Sequence, residues 1–74
     1  MNDEHLIRMA NSIGDFFAAM PDADEARSDL AAHIQRFWEP RMRLGIFGHI
    51  DRTGGAGLKP IVLEALQEHR AQVL

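Results

Sequence analysis

No α-helix runs unbroken through residue 40 of this chain. Pro40 has no backbone N–H and a fixed φ, and it pushes Glu39 out of the α region. The segment around it, His33–Arg43, reads HIQRFWEPRMR. One helix must therefore stop near Trp38 or Glu39, and the next starts at Pro40, where a missing donor costs nothing. The corner carries the only tryptophan and three of the seven arginines, Arg36, Arg41 and Arg43. Trp and Arg are the residue types that most often anchor binding interfaces, and neither supplies a nucleophile.

The flanking segments read as helices by the same kind of argument. From Asp3 to Met20 the apolar residues Leu6, Met9, Ala10, Ile13, Phe16, Phe17 and Met20 recur at three-four spacing, with Asp3 as the expected N-cap and Pro21 as the stop. Ile7 lies off that stripe. Gly14 sits inside the helix, where it costs about 1 kcal/mol relative to Ala, and is read as a point of close helix approach. A second helix over residues 22–38 opens with Asp22 and Glu25 at capping-box spacing and buries Ala26, Leu30, Ala31, Ile34, Phe37 and Trp38. The short link at Pro21 makes the first two helices an antiparallel αα-hairpin. A third helix spans about 40–51. A fourth spans about 59–72, with Pro60 at its first turn and Leu58, Val62, Leu66, His69 and Val73 on one face. The expected fold is all-α, a single domain over 1–74 made of a bundle of three to four helices built on the hairpin.

Size and charge narrow the function. A 74-residue chain buries only about 60% of the surface its unfolded form exposes, so its core is small. Without cysteine it has neither disulfides nor thiolate ligands. The net charge of −3 and pI near 5.7 argue against general nucleic-acid binding. The charge is divided, with residues 1–34 acidic and residues 35–74 basic. No apolar run is long enough to span a bilayer, and the acidic start MNDEHLIRMA is unlike a signal peptide. The expected location is the cytoplasm.

Catalytic motifs are not visible. His5, His33, His49 and His69 show no i, i+4 pair and no HExxH, so they are read as surface or half-buried histidines rather than metal ligands. Ser12 and Ser28 have no evident base beside them. Thr53–Gly57, TGGAG, lacks the lysine and the preceding strand of a phosphate-binding loop and is read as a flexible connector. The residues expected to meet a partner are Phe16, Arg36, Trp38, Pro40, Arg41 and Arg43, with the arginines matched to a carboxylate or a phosphate.

Three blocks, RMANSIGDFF (Arg8–Phe17), HIQRFWEPRMR (His33–Arg43) and GGAGLKPIVLEAL (Gly54–Leu66), resemble the delta subunit of soluble NAD-dependent formate dehydrogenase. The resemblance covers about Leu6 to Leu66. It implies a small, helical, cofactor-free and non-catalytic accessory subunit of a cytoplasmic complex that oxidises formate to carbon dioxide and reduces NAD. It implies that the large catalytic alpha subunit carries a molybdenum (or tungsten) bis-pyranopterin guanine dinucleotide and iron–sulfur clusters, and that other subunits carry FMN and further clusters. The role it implies is assembly, stability or molybdenum-cofactor retention. The alternative is a self-associating helical adaptor or regulator that contacts nucleic acid through Arg36–Arg52.

Overall fold

The computed structural model describes residues 2–74 as helices α1 (Asp3–Phe17), α2 (Ala23–Phe37), α3 (Pro40–Thr53) and α4 (Pro60–Glu68), and a one-turn α5 (Arg70–Val73). No strand occurs among the described residues. The all-α bundle expected from periodicity is present. α1 packs against α2, α3 and α4, while α2 packs against α1, α4 and α5. The core lies between them, with Leu6, Leu30, Ile34, Ile46, Val62, Leu66 and Val73 fully buried.

Local chemistry sets the helix ends, and several differ from the reading above. Asn2, not Asp3, caps α1: its extended backbone lets Oδ1 accept from Glu4 N at 2.8 Å. Asp3 is thereby left to pair with Arg52 at the far end of α3. α1 stops at Phe17 rather than Met20, because Pro21 disfavours helical geometry in the residue before it and the chain turns over Ala18–Met20. Asp22 caps α2 as expected, accepting from Glu25 N at 3.1 Å. α3 runs to Thr53, where Gly54 adopts φ +76° and donates to Ile50 O at 2.8 Å, a left-handed helix stop. The last helix is broken at His69 (φ −113°, ψ 26°), and the turn places Val73 in the core against α2. The sequence predicts an uninterrupted helix to about residue 72, since nothing in EHRAQ is a strong breaker.

Gly14 is a point of close approach, as read: a Cβ there would lie 2.6 Å from Val62 Cγ2 of α4. Gly45 plays the same part for α3, where a Cβ would lie 2.8 Å from Leu6 Cδ1. α1 is thus held closely on two sides, by its own Gly14 against α4 and by Gly45 of α3 against Leu6.

The glycine loop is fastened, contrary to its reading as a flexible connector. Thr53 Oγ1 donates to His49 O at 2.8 Å and accepts from Gly55 N and Ala56 N at 3.2 and 3.0 Å. The buried His49 donates through Nε2 to Ala56 O at 2.7 Å. From α1, Asn11 Nδ2 donates to Gly57 O at 3.0 Å, and Asn11 Oδ1 accepts from Lys59 N at 2.9 Å. A side chain that both donates to and accepts from one loop is a clamp. Asn11→Ala is expected to lower stability by about 1–2 kcal/mol, two ordinary hydrogen bonds lost. It should also speed amide exchange in 54–59 more than elsewhere. Exchange in that loop unchanged by the substitution would contradict the assignment.

Candidate protein-docking site

Large apolar side chains left in solvent are the most informative feature of a bundle this small. Phe16 is 74% exposed and Phe37 is 66% exposed. They belong to one face. Phe16 meets Phe17 edge to face with ring centroids 5.1 Å apart. Phe17 meets His33 at 5.9 Å, and His33 meets Phe37 at 4.7 Å. The Arg36 guanidinium lies over the Phe37 ring at 5.7 Å. The late turns of α1 and α2 therefore present a continuous row of four rings. A shallow groove of about 310 Å³ runs between Ile13, Phe16, Phe17 and His33, and a second of about 260 Å³ adjoins it along Asp29, Ala32, Arg36 and Phe37.

The swap of roles between Phe37 and Trp38 is the main correction to the expected site. Both were placed on the buried stripe, with Trp38 also expected to anchor a partner. Trp38 is 5% exposed and belongs to the core. It is the C-cap of α2, with φ −87° and ψ 136°, so the chain leaves helical geometry there and the indole turns inward. Phe37, the last helical residue, stays on the outer face. Adjacent helical positions diverge by about 100°, and only one of two neighbouring rings enters the core.

The arginines of the corner also separate. Arg43 Nη1 donates to Val73 O at 2.6 Å, closing the end of α5, and Arg43 Nε is buried without a hydrogen-bond partner among the described residues. Arg43 is therefore an internal strut between α3 and α5 rather than a free cation. Arg36, Pro40 and Arg41 are exposed, as is Leu44, one turn beyond Pro40, at 63%. Of the Arg36–Arg52 stretch read as a nucleic-acid contact, Arg43 and Arg52 are both engaged within the fold.

Several charges away from this face are paired. Arg27 bridges Asp24 and Glu68, and Lys59 meets Asp15. Arg70 donates two hydrogen bonds of 2.8 Å to Asp51, which hold that carboxyl below its usual range, and the guanidinium lies 4.9 Å from the Phe47 ring centroid. Among the described residues Asp29 and Arg36, both on the rim of the aromatic face, make no ion pair.

No cluster of three or more His, Cys, Asp or Glu converges among the described residues. The larger groove is lined by apolar rings, Ser12 and one imidazole, which does not fit a pterin dinucleotide, a flavin or a metal cluster. This geometry suits the side chains of another protein. A family model described as NADH-dependent formate dehydrogenase delta subunit FdsD matches residues 5–66. The chain belongs to the formate dehydrogenase delta-subunit family. The matched region takes in α2 and α3 entire, most of α1 and α4, and both sides of the aromatic face. The resemblance read from the three sequence blocks is borne out. No curated protein and no solved structure matches the delta-subunit chain. No helix among its described residues is long and apolar enough to cross a membrane.

Phe37 and His33 are the site residues that sequence reasoning missed. The available signal was the i, i+4 spacing of His33 and Phe37 along the flank of the Leu30–Ile34 stripe of α2.

Proposed function

We propose that this chain is a non-catalytic accessory subunit that docks on the catalytic alpha subunit of a cytoplasmic NAD-reducing formate dehydrogenase. The docking face is the ring row Phe16–Phe17–His33–Phe37. The observation that carries this reading is the exposure of two phenylalanine rings, Phe16 and Phe37, at the two ends of one row of rings in a chain of the delta-subunit family. A monomer leaves such rings in water at a cost, and a partner that covers them gains about 1.5–3 kcal/mol for each ring fully buried. Arg36 and Arg41 supply the polar rim of the interface and meet carboxylates of the partner. The consequence for the complex is assembly, stability or retention of the molybdenum cofactor in the alpha subunit. The molybdenum bis-pyranopterin guanine dinucleotide, the iron–sulfur clusters and FMN belong to the partner subunits.

Co-purification tests this reading. The tagged chain, expressed in its native host, is expected to bring down a large molybdenum-bearing protein with formate-dependent NAD reduction. Phe16→Ala together with Phe37→Ala should lower recovery of that partner at least tenfold while leaving the helix content of the chain unchanged, as interface anchors do. Recovery unaffected by the double substitution would move the docking face elsewhere, and the absence of any molybdenum-bearing partner would remove the functional reading itself.

A further inference from the structure

The outer face of α2 is self-complementary. Asp29, Ala32, His33, Arg36 and Phe37 stand at i, i+3, i+4, i+7 and i+8, the spacing of a second seam on a helix whose inner seam is already used by Ala26, Leu30, Ile34 and Trp38. The seam carries one acid and one base two turns apart. Both are exposed, and neither is ion-paired among the described residues, so each is free to meet a charge on another molecule. Between them lie Ala32 and His33, and both charges border the groove beside Phe17 and Phe37.

We propose that the isolated chain pairs with a second copy of itself across α2, the two helices antiparallel about a two-fold axis between Ala32 and His33. In that arrangement Asp29 lies level with Arg36 of the second copy and Arg36 with its Asp29. Ala32 lies level with the second copy's His33, and Phe37 with its Ser28. Two-fold contacts have this property: one matched pair on the surface is satisfied twice. Ala32 at the centre lets the axes approach toward the short end of the roughly 8–10 Å range for packed helices. Phe37 from each copy is then drawn over the neighbouring helix, and Phe16 flanks the contact.

A second copy is the occupant the charges specify, because the face carries both signs in the order its own antiparallel image requires. A purely acidic partner segment would meet Arg36 favourably and Asp29 unfavourably. The seam is short compared with the ~800 Å² per partner of a standard interface, so the dimer is of micromolar rather than nanomolar strength. It covers the face assigned above to docking in the complex. Self-pairing and docking therefore exclude each other, and the dimer is the form of the free subunit.

The experiment uses the isolated chain, so its outcome does not depend on the formate dehydrogenase reading. Sedimentation equilibrium from about 1 μM to about 1 mM, which brackets a weak interface, should show a monomer–dimer equilibrium. Arg36→Asp and Asp29→Arg each place like charges together at two points, and each is expected to raise the dimer dissociation constant roughly tenfold or more. The double reversal restores the matched pairs and should bring the constant back to within about threefold of the original. Both positions are exposed, and helix content by circular dichroism confirms that each variant is folded. A monomer over the whole range would overturn the proposal. So would a dimer indifferent to both single reversals, or one that the double reversal fails to restore.

Discussion

Trp38→Ala removes about 3–5 kcal/mol of stability, while Phe37→Ala, one residue earlier, changes it by no more than about 0.5 kcal/mol. The contrast follows from the corner. Trp38 is packed in the core, and its deletion leaves a cavity that a bundle this small has little means to fill. Phe37 is 66% exposed on the outer face, with its ring against His33 and under Arg36. A chain of 74 residues has a total stability of about 4–11 kcal/mol on general grounds, so the first substitution takes away much or all of it. Thermal melting should show a midpoint lowered by more than about 12 °C, or no cooperative transition, since each kcal/mol is worth about 4–8 °C at this size. Equal effects of the two substitutions would mean that the indole is not the inward-facing ring. The pair also separates folding from docking. A Trp38 variant that fails to bind a partner has failed to fold, whereas a folded Phe37 variant that fails to bind has lost a contact.

Much of the bundle could be read from periodicity and punctuation. Pro40 and Pro60 each open a helix, Asp22 caps one, and Leu6, Leu30, Ile34, Val62 and Leu66 lie on stripes that become the core. These are local signals, and local rules carry them. The features that escaped are set by distant contacts. The break at His69 has no breaker residue, and it goes with the burial of Val73 and with Arg43 donating to the Val73 carbonyl from α3. The order of the glycine loop depends on Asn11, 46 residues away from Gly57 in the chain. At the candidate site Phe16 is exposed and Trp38 is buried. A helical wheel cannot tell which of two adjacent aromatics turns inward when one of them is the residue at which the helix ends. The arginines divide for the same reason: sequence proximity grouped Arg36, Arg41 and Arg43, and tertiary packing took Arg43 out of the group.

The second large effect is expected at Gly14. Replacing a glycine inside a helix normally stabilises, by about 0.8–1.0 kcal/mol for Ala and less for the β-branched Val. Here the steric term opposes it. A Cβ at Gly14 would lie 2.6 Å from Val62 Cγ2 and 3.3 Å from Ile61 Cγ2, and Val62 is fully buried. Overpacking of this kind costs about 1–3 kcal/mol for a small insertion, and the two further methyls of Val must displace α4 from α1. Gly14→Val is therefore expected to lower stability by about 3 kcal/mol, with Gly14→Ala closer to neutral because the propensity gain offsets part of the clash. Gly48 provides the internal control. It is also inside a helix, but a Cβ there meets only the Nη1 end of the exposed Arg52 side chain at 3.1 Å, which can move aside. Gly48→Ala should raise stability by up to about 1 kcal/mol. Denaturant midpoints of the three variants decide the matter. If Gly14→Val and Gly48→Ala shifted the midpoint in the same direction, helix propensity alone would account for both, and the close approach of α1 to α4 would have no energetic content. Opposite signs would mean that α1 is placed by its missing side chain. The position of Phe16 and Phe17, on the last turn of that same helix, would then be fixed by the packing at Gly14, within the same turns of α1 that carry the docking face.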